Sequence, residues 1–179
     1  MKRPGIDFRF RISGLSAAAY GLWLIAYGFL PSCYSFKDAS TDPNLKTARV
    51  SYFDNRAPIV NPSLSQLFTE ALKSKITSET NLDIIDQGAD VDIRGVITQY
   101  DIAPIAAQAG ETAALNRLTI SVEVEFTNNQ EESKSWESRF SRFADFSRDA
   151  DFSSVEDGLV NEINTQLVDD IFKRAFVNW

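Results

Sequence analysis

The chain has no histidine and a single cysteine, Cys33, among its 179 residues. Without histidine, a Ser-His-Asp or Cys-His catalytic arrangement is excluded, and the commonest metal ligand is missing. One cysteine excludes an internal disulfide and a zinc site of the Cys/His type. There is also no GxxxxGK[ST] or GxGxxG loop to hold phosphates. Acidic pairs such as Asp90 and Asp92 are more typical of a solvated strand than of hydrolytic carboxylates. We therefore expect no enzymatic activity, no cofactor and no metal.

Basic residues are also scarce over most of the chain, which has 18 Lys and Arg against 25 Asp and Glu. Residues 1–32 hold four of the basic residues and one acidic residue, so the remainder carries 14 against 24 and a formal charge of −10. Such an acidic chain repels polyanions, so we expect no nucleic-acid partner. The 147 residues after position 32 suit one domain with a sizeable core.

The N-terminal segment has a basic start followed by an apolar run over residues 14–30. This order is typical of a secretory signal. A membrane-spanning helix needs about 20 apolar residues. Here three glycines and Ser16 dilute the run, and Pro31 closes it. A signal is therefore favoured, and a membrane span stays open as the alternative.

The run ends in Leu30-Pro31-Ser32-Cys33, which resembles the bacterial lipoprotein signal. In proteins with that signal the cysteine receives a diacylglycerol, cleavage occurs before it, and its new amino group is acylated. The alternative is a lone cysteine that packs as a small hydrophobe. We predict lipidation of Cys33. The residue after it is Tyr34 and not Asp, which points to the outer membrane.

These features divide the chain into three parts. Residues 1–32 are predicted to be a lipoprotein signal peptide. Residues 33–45 are polar and turn-rich, as expected of a lipidated tether. Residues 46–179 are predicted to form a single domain.

Two segments of the domain have the apolar periodicity of amphipathic helices. Ser63 and Gln66 fit a capping box at the start of the first, and Ser153 with Glu156 fits another at the start of the second. The first helix is expected to reach about Ser78 and the second about Val177. The predicted core stripes are Leu64, Leu67, Phe68, Ala71, Leu72 and Ile76, and then Val155, Leu159, Ile163, Leu167, Ile171 and Phe172.

Four segments are predicted to be strands, and the alternation of apolar and polar residues along them defines two faces of a sheet. They are residues 46–55, 81–102 with a turn at Gln87-Gly88, 118–127, and the stretch from Trp136 onwards. Residues 103–114 read as a loop. Because Phe143 and Phe146 break the alternation of the last strand, we expect a bulge or strand end near Arg142.

The order of elements is therefore β-α-β-β-β-α. It predicts an α+β fold, a two-layer sandwich in which two amphipathic helices pack on one face of a four-stranded, mostly antiparallel sheet. The other face of the sheet is expected to stay open and polar.

Three arginines fall on this predicted open face, namely Arg94, Arg117 and Arg139, with Tyr100 nearby. Guanidinium groups bind phosphates and carboxylates bidentately, so the three form a candidate contact site for an anion or a partner. The alternative is that they pair across strands with Glu123, Glu125 and Glu137. The residue types favour cross-strand pairing.

Several segments together resemble the lipopolysaccharide-assembly lipoproteins of the outer membrane, the LptE-like family. The resemblance is carried by "VSYFDNRAPIVNPSLSQLFTEAL", "TAALNRLTISVEVEFTN" and "SSVEDGLVNEINTQLVDDIF…NW". Its most specific parts are residues 55–65 and 111–122. It covers nearly all of residues 33–179.

The resemblance implies a non-enzymatic protein that is acylated at Cys33 and held in the outer membrane. Its implied partner is an LptD-type outer-membrane β-barrel, which such proteins help to assemble, plug, and supply with lipopolysaccharide for the outer leaflet. Lipopolysaccharide itself is a second implied partner. The implied fold is the same two-helix sandwich. A generic lipid-anchored module of the periplasm that binds a small ligand remains the alternative.

Overall fold

The computed structural model describes Asp42 and residues 44–59, 61–105 and 114–177. Cys33, the predicted signal and most of the predicted tether lie outside the described residues. The elements run β-β-α-β-β-β-β-α. In chain order they are β1 (Thr47–Val50), β2 (Asp54–Asn55), α1 (Leu64–Glu79), β3 (Asp83–Ile84), β4 (Val91–Ile105), β5 (Leu115–Asn128), β6 (Trp136–Ser147) and α2 (Phe152–Phe176).

The sheet is mixed and has six strands in the described part of the chain, so the predicted four-stranded, mostly antiparallel sheet is wrong in detail while the α+β class holds. Its order is β3-β1-β4-β5-β6, and β2 pairs with β4. β4, β5 and β6 form an antiparallel meander, whereas β1 and β2 run parallel to β4. A helix between β1 and β4 explains the parallel pairing, because parallel neighbours require a long crossover.

The predicted first strand, residues 46–55, is split into β1 and β2. Its backbone follows β4 on both sides of the break, since the amide of Ser51 donates to Ile93 and that of Arg56 donates to Ile97. At the break Phe53 is fully buried, and its ring centroid lies 4.8 Å from that of Phe68 on α1. The interruption therefore places an aromatic side chain in the core.

One irregularity shifts the faces of β4. The register of β4 against β5 changes between Ile97 and Gln99, so residues beyond Thr98 point to the opposite side from that predicted. Tyr100 is therefore 2% exposed on the helix side of the sheet. Its predicted place beside the arginines of the open face is wrong.

No irregularity occurs near Arg142, and that prediction is also wrong. The register of β5 with β6 is constant from Leu115–Ser147 to Phe126–Trp136. Phe146 continues the helix side of the strand and is buried, whereas Phe143 is an aromatic residue on the open side and is 48% exposed. An exposed aromatic residue on the polar face of β6 therefore has the same sequence signature as a break in the alternation.

The core lies between the two helices and one face of the sheet, as predicted. The apolar stripe of each helix is confirmed except at Leu67, which is 44% exposed, and at Ala71 and Val155, which are partly buried. The fully or nearly fully buried helix residues are Leu64, Phe68, Leu72, Ile76, Leu159, Val160, Ile163, Leu167, Val168, Ile171, Phe172 and Phe176.

Neither predicted capping box forms. Ser63 is the N-cap of α1, but its side chain makes no capping bond; its hydroxyl donates to Asn61 at 2.8 Å. The N-cap of α2 is Asp151, whose carboxylate accepts the amide of Ser153. Aspartate caps a helix as well as serine does, which is why the run Asp151–Ser154 was ambiguous.

The predicted loop over residues 103–114 is shorter than expected. β4 continues to Ile105 and β5 starts at Leu115, with Ala103 opposite Arg117 and Ile105 opposite Leu115. Residues 106–113 lie outside the described residues. The small, weakly β-forming side chains of this segment gave no sign that the ladder extends so far.

Candidate functional site

The face of the sheet turned away from the helices, here called the open face, is built by the alternation of β5. Leu118, Ile120 and Val122 point into the core, so Arg117, Thr119, Ser121, Glu123 and Glu125 point the other way. The corresponding side chains of β6 are Glu137, Arg139, Ser141, Phe143 and Asp145, which lie opposite them in the register. All three predicted arginines lie on this face.

Arg94 pairs with a carboxylate that the sequence indicated. It lies opposite Glu125 in the β4–β5 ladder, and its guanidinium is 3.1 Å from that carboxylate. The side chains are 57% and 49% exposed. Such an exposed pair contributes little to stability and leaves the guanidinium accessible to a partner.

Arg117 pairs with a carboxylate that the sequence reasoning missed. Its guanidinium donates to both oxygens of Asp145, at 2.7 and 2.9 Å. It also stacks on Phe143, with its central carbon 3.5 Å from the ring centroid. The hydrogen bond from Arg117 lowers the pKa of Asp145. The false break near Arg142 hid this pair, because a constant register places Asp145 opposite Arg117.

Arg139 lies opposite Glu123 but forms no ion pair among the described residues. Its guanidinium instead donates to the side-chain oxygen of Gln99 at 3.3 Å. That same oxygen accepts a bond from Ser121. Arg139 is thus an exposed cation held by a neutral acceptor.

The structure does not bring the three arginines into one site. Arg94 and Arg139 lie on either side of β5, opposite Glu125 and Glu123. Arg117 lies six residues before Glu123 in β5, about 20 Å away at the rise of a β-strand. Within the described residues, the open face therefore offers two separated basic positions in a polar surface, and the three arginines do not surround one anion.

A cleft at one end of the sheet was not anticipated from the sequence. It has a volume of about 180 Å³ and lies between β6, the end of β5 and the C-terminal turn of α2. Trp136 stacks on Phe126 at 5.4 Å between ring centroids, and the guanidinium of Arg174 lies 4.8 Å from the Trp136 ring. Lys134 at its rim contacts Asp42 and Glu131, each at 2.8 Å. An aromatic wall with a cation above it suits a small anionic or aromatic group.

The buried Tyr100 joins three elements on the helix side. Its hydroxyl donates to Glu156 at 2.5 Å, and the side-chain amide of Asn61 donates to the same oxygen at 2.8 Å. Burial, and then the bond to Glu156, raise the pKa of Tyr100. Because all groups are satisfied and the phenol stays protonated, this network holds the start of α2 to β4 and to the segment before α1.

Among the described residues, no group of acidic side chains is arranged to hold a metal ion. None of the helices within those ranges has the length and apolar character needed to cross a membrane.

The sequence matches the family model described as LptE, lipopolysaccharide-assembly, over residues 45–175. No curated protein matches the chain. Solved structures that resemble this chain share little sequence with it. Of three such structures, one reaches a TM-score of 0.50.

That structure is a protein of Xanthomonas campestris, with 7% identity, covering 76% of this chain and 89% of its own. It supports the fold alone. Rare lipoprotein B of Shewanella oneidensis has 19% identity and a TM-score of 0.46, and the match covers 70% of this chain and 91% of that protein. A hypothetical protein of Chlamydia trachomatis has 12% identity and a TM-score of 0.49, and the match covers 73% of this chain and 95% of that protein.

The family match includes every strand and both helices, apart from the final residue of α2. The apolar stripes, the strand alternation and the segments that carry the resemblance fall within it, apart from the terminal Asn178 and Trp179. This chain therefore belongs to the LptE family of lipopolysaccharide-assembly proteins.

Proposed function

We propose that the chain is a non-enzymatic lipoprotein of the bacterial outer membrane that associates with an LptD-type β-barrel. It assists the assembly of the barrel, plugs it, and supports the insertion of lipopolysaccharide into the outer leaflet. The observation that carries the proposal is the family match over residues 45–175.

The physical character of the domain suits such a role. A protein that occupies a barrel lumen needs a fixed shape of its own, and here a single core joins both helices to the sheet. The lumen of a large barrel is polar, so the surface presented to it must be polar as well. The open face meets that requirement through Arg94, Glu125 and their neighbours. Recognition then rests on shape and polar complementarity and needs no reacting group.

The anchor is proposed at Cys33, because the segment from Leu30 to Cys33 has the lipoprotein pattern. Two or more acyl chains hold a protein stably at a bilayer, whereas one chain holds it only marginally. The test is mass spectrometry of the N-terminus of the protein purified from membranes. An acylated peptide beginning at Cys33 is expected, and Cys33→Ser should leave the precursor unprocessed. A wild-type protein that begins before Cys33 without a lipid would contradict the anchor.

Partner association is tested by purifying the tagged full-length chain from a detergent extract of its native bacterium. We expect one large β-barrel protein to co-purify in near-equal amount. Cys33→Ser serves as a control for the contribution of the anchor. Recovery of the chain alone, from an extract in which the barrel is shown to be present, would contradict the proposal.

Arg94, Arg117 and Arg139 remain proposed contacts of the open face. Triple replacement by alanine should weaken binding to the barrel or to lipopolysaccharide. A matched control replaces Lys73 and Lys173, exposed cations of the two helices. Unchanged binding of the triple variant would assign the arginines to cross-strand pairing alone.

A second candidate is a lipid-anchored module that captures a small ligand. The cleft beside Trp136 and Arg174 favours it. The co-purification above separates the two candidates, and Arg174→Ala refines the result. That variant should retain the barrel under the first proposal and lose a small anionic ligand under the second.

A further inference from the structure

The two edges of the sheet differ greatly in length. On one side β3 has two residues, whereas β6 on the other has 12. No described strand pairs with the outer side of β6. Natural edges are usually short, bulged, interrupted by proline, covered, or blunted by charged side chains. β6 pairs with β5 without a register shift and contains neither proline nor glycine. The backbone of its outer edge is therefore unpaired among the described strands, and the charged side chains of β6 decide which strand it can accept; Arg142, on the helix side, is already paired with Asp170 of α2.

The first half of β6 is self-complementary. Its sequence from Trp136 to Phe140 is WESRF. Ser138 is the centre of this segment. At equal distances on either side of it, Trp136 corresponds to Phe140, and Glu137 corresponds to Arg139. In an antiparallel pair about a two-fold axis, each residue faces its mirror in the other copy.

Glu137 lacks a cation in the described part of the chain. It lies opposite Glu125, a like charge, and Arg94 is the ion-pair partner of Glu125. Like charges directly opposite each other destabilise a sheet. Arg139, two residues away on the same face, likewise has no ion pair within the described residues, as noted above. Each strand edge thus carries one acid and one base, and a second copy would complement both.

The helix side of the same stretch carries a partly buried aromatic pair. Trp136 and Phe140 approach with ring centroids 5.9 Å apart, above the small Ser138. A second copy would set Phe140 of each chain opposite Trp136 of the other. Aromatic cross-strand pairs are among the stabilising contacts of antiparallel sheets.

We propose that two copies of this chain associate through the outer edges of β6, antiparallel, about a two-fold axis at Ser138. Glu137 of each copy then faces Arg139 of the other on the open face, and the aromatic pairs meet on the helix side. The register is specific. A two-fold axis one residue to either side would set Glu137 or Arg139 against its own copy. This association goes beyond the proposed function, and the two share Arg139, so Glu137→Arg, which leaves the three open-face arginines in place, tests the dimer separately.

The charge pairs provide the first test, made by sedimentation of the full-length chain in density-matched detergent. Glu137→Arg and Arg139→Glu should each raise the dissociation constant of the dimer at least about tenfold, because each turns two attractive pairs into repulsive ones. An equal mixture of the two variants should regain the wild-type value as a heterodimer, and so should the double variant with both changes. Circular dichroism checks that each variant is folded.

A wild-type chain that stays monomeric at every concentration would overturn the proposal. So would single variants that dimerise as the wild type does, or a mixture that fails to recover. Association that survives all of these changes would mean that copies meet through another surface.

Cross-linking provides the second test and fixes the register. Residues directly opposite in antiparallel strands lie within the Cα separation that a disulfide requires. Ser138→Cys should therefore form a disulfide-linked dimer in membranes under mild oxidation. Ser141→Cys is the control, because its two copies would lie about 20 Å apart in this register. Equal linking of both, or linking no greater than in the wild type, would overturn the axis at Ser138.

Discussion

Along β4, β5 and β6, the two faces of the sheet are formed by the same strands, yet they have different surroundings. On the helix face, Leu118, Ile120 and Val122 are at most 1% exposed and contact a continuous apolar core. On the open face, Arg94 and Arg117 pair with carboxylates that remain in contact with water. Stability is therefore concentrated on the helix face. Charged side chains of the open face can be replaced, and can contact a partner, with little effect on the free energy of unfolding.

The largest expected effect comes from the helix face. Phe68→Ala removes a fully buried ring that packs on Phe53. It should lower the free energy of unfolding by about 3–5 kcal/mol. The matched control on the same helix is Leu67→Ala, because Leu67 is 44% exposed; its change should stay within about 0.5 kcal/mol. Urea unfolding of the purified chain measures both, and equal losses would contradict the assignment of the buried side of α1.

The second effect tests how closely Phe53, at the break between β1 and β2, and the backbone of β5 approach β4. A Cβ at Gly95 would overlap the carbonyl oxygen of Glu123 and lie 2.6 Å from Cε1 of Phe53. Gly95→Ala should therefore cost about 1–3 kcal/mol through overpacking. Gly158 lies within α2 with nothing near its missing Cβ, so Gly158→Ala should stabilise by up to about 1 kcal/mol. In thermal unfolding, Gly95→Ala should lower the melting temperature and Gly158→Ala should raise it. An unchanged melting temperature for Gly95→Ala would contradict the packing of Phe53 against Gly95.

A third and smaller effect concerns the polar network inside the helix face. Tyr100→Phe removes the hydroxyl that donates to Glu156. Loss of a bond to a carboxylate should cost about 1.5 kcal/mol. Tyr52→Phe is the control, since Tyr52 is 58% exposed. Chemical denaturation compares them, and a Tyr100→Phe variant as stable as wild type would show that the network does not hold α2.

The smallest effect is expected on the open face. Arg117→Ala should lower the urea midpoint less than Tyr100→Phe does, and the loss should shrink with added salt. Because Arg117 lowers the pKa of Asp145, the pair contributes stability above the unfolded pKa, near 4. That contribution is lost as the pH falls through the lower, folded pKa. The gap between variant and wild type should therefore close in acid. A gap that widens in acid would contradict the pair.

Simple alternation was enough to predict the faces of β5. Every second residue from Leu118 to Phe126 was expected to be buried, and each is. The buried side of each helix was predictable except at Leu67, Ala71 and Val155, because the apolar stripes repeat at the helical period and each packs against one surface. The expected α+β class follows from these three elements.

Long-range pairing explains what the sequence did not reveal. The shift at Thr98 moves Tyr100 to the other face without any glycine or proline to mark it. The division of β1 from β2 depends on Phe53 reaching Phe68, a contact between segments 15 residues apart. The partner of Arg117 is set by the register of β5 with β6, which local patterns do not specify.

The proposed role in lipopolysaccharide assembly at the outer membrane is tested by the amount of lipopolysaccharide on the cell surface after the chain is depleted from its native bacterium, with restoration by the wild-type gene. Surface lipopolysaccharide should fall as the protein disappears, wild-type protein should restore it, and Cys33→Ser should restore it less well. Unchanged surface lipopolysaccharide in cells that demonstrably lack the protein would contradict this role.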